Sequence, residues 1–277
     1  MTDLHRRRLV WALGAALVAA PALAWAEDDF GAAEPPPKPK AKAKPKAKAA
    51  AKPAAAPDHA PAPAADAGHA AAAPAVPPEE ALQRLMAGNT RYVQGFVAHP
   101  NADAARRVEV AKGQHPFAVI LTCADSRVPP ELIFDQGLGD LFVIRVAGNV
   151  VDDAVIASIE YAVMHLGVSL VMALGHERCG AVTAAMDALA GKGDPADRET
   201  LIGSLVALIA PAVRAVPANA PDRVDAAVNL NAANAAAEIF AGSRPLRAKV
   251  LAGQLKIVAA RYDLDDGTVT PTKTVQG

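Results

Sequence analysis

Cysteine is nearly missing from this chain, with two in 277 residues. That excludes a disulfide-dense scaffold and a four-cysteine zinc ribbon within one chain. Aromatic residues make up only 4%. The 52% hydrophobic content is therefore largely alanine and aliphatics, and alanine buries little area, so the percentage overstates the driving force for folding. Neither sign of charge prevails, with 28 Lys+Arg against 29 Asp+Glu, which argues against a nucleic-acid binder acting through its whole surface. Beyond residue 26 no apolar run reaches the roughly 20 residues that cross a bilayer. Tryptophan occurs only at Trp11 and Trp25. No internal repeat is visible.

The charge is unevenly placed. The first 78 residues are net basic and the remainder net acidic, and composition divides the chain into three. Residues 1–26 read as an export signal: Arg6, Arg7 and Arg8, an apolar stretch over 9–20, then Ala24-Trp25-Ala26 as a cleavage site. Adjacent arginines resemble a twin-arginine signal without its usual flanking residues, so export folded or unfolded stays open at this point. A periplasmic or otherwise exported location is expected. Residues 27–78 are almost wholly Ala, Pro and Lys, as in Lys38-Pro39-Lys40-Ala41-Lys42. Such a segment cannot bury enough apolar surface to offset its ordering entropy and is expected to be a disordered tether. The plain reading is a solvated spacer; the sharper one is that its lysines hold the protein weakly to an anionic cell envelope. No nucleic-acid partner is expected.

From residue 79 to 277 the pattern becomes globular. Pro77-Pro78 before Glu79 and Glu80 predicts a helix start, and a second helix is expected over 104–112. Continuous apolar runs at 117–122, 141–146 and 169–174 are of strand length and suit parallel strands covered on both faces. Amphipathic helices are expected over 154–166, 181–189, 201–213 and 224–240, and a late strand over 255–260. The alternation implies an α/β domain: a mostly parallel β-sheet flanked by helices.

Two short segments follow predicted strands: Cys123-Ala124-Asp125-Ser126-Arg127 and His176-Glu177-Arg178-Cys179-Gly180. The carboxyl edge of a parallel sheet is where ligands bind. Both cysteines and one histidine can therefore converge there, and two thiolates with one imidazole suit Zn2+. Three protein ligands leave a fourth position for water or a carboxylate, and Asp125 is the nearest carboxylate. Arg127 can pair with Asp125 bidentately. Cys179 should open a helix, whose N-terminal dipole favours a thiolate. The plainer alternatives are unliganded buried thiols, a closed structural zinc site, and a Cys123–Cys179 disulfide.

The C-x-D-x-R motif, followed some fifty residues later by H-x-x-C-G, resembles the β-class carbonic anhydrases over essentially all of residues 79–277. The resemblance implies zinc held by Cys123, His176 and Cys179, with Asp125 and Arg127 as a catalytic dyad. Asp125 would be a fourth ligand only in a closed state. It implies a substrate pocket with Gln114, Phe142 and Tyr161, and Ala147 where some members carry valine. It also implies a homodimer or homotetramer with the pocket between subunits. The expected activity is reversible hydration of CO2 to bicarbonate and a proton by zinc-bound hydroxide that the dyad orients. Some members close their site with a Trp-Arg-Tyr trio; with both tryptophans in the leader, an open site is expected. Two other readings stand beside it: a hydrolase of carbonyl sulfide or carbon disulfide, and a non-catalytic zinc-bearing envelope protein.

Overall fold

The computed structural model describes residues 76–275. The expected export signal and nearly all of the expected tether lie outside these residues. Five strands form one sheet in the order β2-β1-β3-β4-β5. They are β1 (Ala118–Thr122), β2 (Leu141–Arg145), β3 (Leu170–His176), β4 (Lys256–Tyr262) and β5 (Val269–Thr274). The first four pair in parallel, and β5 adds an antiparallel edge. Every residue of β1 and β3 is buried, which is why both read as unbroken apolar runs rather than alternating ones.

Period-two geometry divides those runs between two cores. Val119, Leu121, Val171, Ala173, Ile257 and Ala259 face one side. There they pack against α4 (Asp153–His165), α7 (Arg223–Gly242) and α8 (Arg244–Leu251). Ile120, Met172, Leu174 and Val258 face the other, where α1 (Pro78–Gln94) contributes Ala81 and Leu85. Burying one such aliphatic side chain is worth about 1.5–3 kcal/mol. Pro78 and the first-turn acids Glu79 and Glu80 start α1 as the sequence suggests. Short helices α2 (Ala104–Val110) and α3 (Pro130–Ile133) flank β1. A third core is formed by α5 (Gly180–Leu189) and α6 (Leu201–Ala215) with α7. Asp103, Asp152, Thr200, Asp222 and Ser243 each accept a backbone N–H at a helix start, a contact worth about 1 kcal/mol.

Strand order places the site. The chain leaves β1 towards β2 on one side and leaves β3 towards β4 on the other. The crevice of an open parallel sheet forms at such a reversal, beyond the carboxyl ends of the two strands. Here those ends carry Cys123 and His176. Strand β3 runs two residues further than its apolar run, because His176 still pairs with Tyr262 of β4. No helix among the described residues is long and apolar enough to cross a membrane.

Candidate metal centre

Cys123 follows β1 directly, His176 closes β3, and Cys179 caps the start of α5. All three are buried, at 5%, 0% and 1% exposure. Their ligand atoms lie within 4.8 Å of one another, although Cys123 and Cys179 are 56 residues apart in sequence. The sulfurs are 4.0 Å apart and both thiols are free, which removes the disulfide reading. Two Zn–S bonds of 2.3 Å at a tetrahedral angle would set the sulfurs about 3.8 Å apart.

The imidazole is set for a ligand. His176 Nδ1 lies 2.9 Å from the Glu177 carbonyl, to which it donates. Nε2 is then the lone-pair nitrogen, and it is buried without a hydrogen-bond partner. A buried acceptor with no partner costs about 1–3 kcal/mol, and a cation in the triangle would remove that cost. The Cys179 thiol hydrogen-bonds to Cys123 and lowers its pKa, with the Gly148 N–H adding to that against burial. The same contact, followed by burial, raises Cys179. The donor set thus fits a borderline-soft divalent ion.

Asp125 stands at the rim. Its carboxylate accepts the Arg127 N–H at 2.9 Å and both arms of the Arg127 guanidinium at 3.0 and 2.8 Å. The Arg127 side chain first, and then its backbone N–H, hold the carboxyl well below the usual range against partial burial. Its Oδ2 is 3.8 Å from His176 Nε2, so the carboxylate faces the ligand triangle while staying paired to Arg127.

Supporting contacts escaped the sequence reading. Arg145, the last residue of β2, donates to the Cys123 carbonyl at 3.2 Å and to the Asp125 carbonyl at 2.5 Å, fixing the loop between ligand and dyad. A cation ending an apolar strand was the one available signal. Gly148 donates its N–H to Cys123 Sγ at 3.3 Å, and its carbonyl accepts Asn231 Nδ2 at 2.7 Å. Its φ of 69° suits glycine, and a Cβ there would meet Ile209 at 2.6 Å. Arg178 is left-handed at φ 50° and pairs bidentately with Asp265 at 2.9 and 2.6 Å, steadying the turn between His176 and Cys179.

The expected pocket residues fall elsewhere in the protomer. Gln114 is exposed and precedes β1, at the opposite end of that strand from Cys123. Phe142 is half-buried near the start of β2 and packs on the α4 side of the sheet. Tyr161 is 46% exposed on the later part of α4, its ring 5.3 Å from that of His165. Ala147 alone lies beside the metal centre, in the 3-10 turn Ala147–Asn149 whose Gly148 touches Cys123. One chain does not bring Gln114, Phe142 and Tyr161 to the ligand triangle.

The chain is similar to known carbonic anhydrases. The family model described as carbonic anhydrase matches residues 118–269. Carbonic anhydrase 2 of Mycobacterium tuberculosis is 43% identical over 190 residues, covering 69% of this chain and 90% of that protein. The carbonic anhydrase of Mycolicibacterium smegmatis is 38% identical over 192 residues, 69% of this chain and 92% of that one. Among solved structures, the Coccomyxa β-carbonic anhydrase in complex with acetazolamide has a TM-score of 0.54 at 26% identity, covering 71% of this chain and 88% of that one. The β-carbonic anhydrase CcaA shares the fold with a TM-score of 0.55 at 24% identity, over 71% and 92%.

Proposed function

The chain belongs to the β-class carbonic anhydrases, and we propose that it hydrates CO2 reversibly at a zinc site held by Cys123, His176 and Cys179. The observation that carries this reading is the buried triangle of two sulfurs and an unpartnered Nε2, with a carboxylate 3.8 Å from that nitrogen. Zinc in a site with three protein ligands supplies Lewis acidity, lowering the pKa of water in its open position to about 7.

This chain's residues do the rest. The ionised Asp125 accepts a hydrogen bond from the O–H of the attacking solvent oxygen and aims its lone pair at the carbon of CO2. Arg127 keeps that carboxylate ionised and turned from the ligand triangle by holding both of its oxygens. Arg145 fixes the backbone that carries both Cys123 and Asp125. Oxygen–carbon bond formation yields bicarbonate, and the proton lost from water passes to solvent.

The substrate pocket needs a second subunit. In the proposed homodimer the partner supplies Gln114, Phe142 and Tyr161 to the metal edge, where the Gln114 amide orients one CO2 oxygen within an aromatic wall. The exposure of Gln114 and Tyr161 in the single chain supports this. We also propose that the enzyme works outside the cytoplasm, with residues 1–26 as its export signal and the lysines of 27–78 as a weak envelope tether. Cell fractionation with and without residues 1–26 tests the first; salt extraction after deleting 27–78 tests the second.

The decisive experiment is stopped-flow CO2 hydration together with zinc content, on protein lacking residues 1–26. One zinc per chain and a rate rising through neutral pH are expected. Stoichiometric zinc without accelerated hydration would defeat the proposal. Sulfide release from carbonyl sulfide outpacing CO2 hydration would move the substrate to the sulfur analogues.

A further inference from the structure

The turn that carries His176 and Cys179 is strapped from outside the metal centre. Its residue Arg178 is left-handed at φ 50°, a conformation that a residue with a side chain keeps only where its surroundings hold it. The hold converges on Glu177, whose half-buried side chain is 18% exposed. Glu177 Oε2 accepts the Leu264 N–H at 3.2 Å, while Oε1 lies 3.1 Å from Arg178 Nη1 and 3.6 Å from Arg261 Nη2. Arg261, opposite Gly175 in the β3–β4 register, donates through Nε to Asp225 at the start of α7 and through Nη1 to Asp263 at 2.9 Å. Leu264 packs on the α1 side of the sheet. One carboxylate thus ties the metal turn to the β4–β5 connection and, through Arg261, to α7. Glu177, Asp263 and Asp265 approach within 4.8 Å of one another, but the two guanidiniums already answer their charge, so the cluster calls for no further cation.

We propose that Glu177 is a positioning residue for the metal half, acting through the carbonyls of the turn it pins. Its own carbonyl accepts the His176 Nδ1–H at 2.9 Å, and that bond decides which imidazole nitrogen keeps the lone pair. The next carbonyl, of Arg178, lies 3.5 Å from Arg127 Nη2, so the same turn also reaches the dyad. A carbonyl orients an imidazole only as well as its own peptide plane is fixed. The Glu177 N–H donates to the Tyr262 carbonyl at 2.9 Å and fixes the peptide before the turn. The peptide that presents the carbonyl is braced by the side chains on both of its flanks, Glu177 through Leu264 and Arg178 through Asp265. Without the Glu177 carboxylate the left-handed residue can relax and the peptide can rotate. Nδ1 then loses its acceptor, and the proton can move to Nε2, where it blocks a metal. Outer contacts of this kind change metal affinity by about 10–100-fold, and Glu177 acts one contact further out, so the low end is expected. The inference rests on the zinc reading above.

Zinc release to a chelator and the nuclear magnetic resonance of isotopically labelled histidine, both on the full chain, test the proposal. Glu177→Ala should release zinc about tenfold faster than the wild type. It should also lose the slowly exchanging His176 Nδ1–H signal, with and without zinc. Glu177→Gln can still accept the Leu264 N–H through its amide oxygen and should keep that signal. The control is Leu246→Ala, which opens a cavity in a core that none of the turn's residues joins. It should lower the melting temperature, yet release zinc at the wild-type rate and keep the signal. An unchanged release rate or an unchanged Nδ1–H signal in Glu177→Ala would overturn this inference alone, as would the same changes in Leu246→Ala. A wild type that takes up no zinc would overturn the metal reading and this inference with it.

Discussion

The two halves of the candidate site are built in opposite ways. The metal half is finished within one chain: its three candidate ligands are buried, and backbone groups and Arg145 hold them in place. The pocket half is scattered, with Gln114 exposed and Tyr161 nearly half exposed at a distance from the ligands. A metal grip needs fixed short distances that strand pairing inside one fold supplies best. A small, uncharged substrate asks mainly for a dry enclosure, which two subunits closing on each other can provide. In the proposed homodimer the internal hydrogen bonds would serve the ion, and the enclosure would be left to association.

The largest effect that would sharpen this contrast is on the metal half. His176→Ala or Cys179→Ser should abolish zinc binding and all turnover and lower thermal stability; metal analysis and a melting curve check both. Zinc retained at full stoichiometry in either variant would break the assignment. Next, Asp125→Asn should keep its zinc yet lose about 10²–10⁴-fold in kcat, the range of a positioned proton acceptor; stopped-flow hydration reads it.

Smaller, and aimed at the pocket half, is Gln114→Ala, which removes one hydrogen bond and should cost about tenfold in kcat/KM. Co-expressing Gln114→Ala with Cys179→Ser should restore activity above either variant alone. Mixed dimers then combine an intact metal half from one chain with an intact glutamine from the other. No restoration would mean that each pocket is built by a single chain.

The mildest effect lies in acid, at the arm leading to Gln114. Burial pushes Asp135 up, but hydrogen bonds from the Ala98 N–H, Arg91 and the His99 N–H outweigh it and hold its carboxyl below the ordinary value. A lowered folded pKa gives stability that is present above the unfolded value of about 3.9 and is lost as pH falls through the folded one. Amide exchange at Ala98 and His99 should thus quicken below about pH 4 in the wild type. In Asp135→Asn it should be fast already at neutral pH, with no acid step.

The parallel strands were legible because burial on both faces forces continuous apolar runs, and the convergence of Cys123, His176 and Cys179 because sulfur and imidazole at two strand ends have few other uses. Strand β5 was not: only Val269 is buried in it, and an exposed edge strand leaves no apolar pattern to read. Helix α3 spans four residues, too few for periodicity, and α8 was passed over as well. Asp125 with Arg127 was readable from spacing alone. Arg145 was not, since its partners are backbone carbonyls of Cys123 and Asp125, 22 and 20 residues away, and carbonyls carry no residue identity. The dispersal of Gln114, Phe142 and Tyr161 depends on strand direction and helix length, which motif matching does not report.

Two of the three candidate ligands come from neighbouring strands, Cys123 beyond β1 and His176 at the end of β3, and Cys179 from the start of α5. Sliding β1 by one residue would turn the first sulfur to the far side of the sheet. An ion captured by all three groups, as proposed, would therefore serve as proofreading for assembly, since misaligned chains would offer it an incomplete grip. Metal content would then count correctly aligned molecules, whatever their turnover.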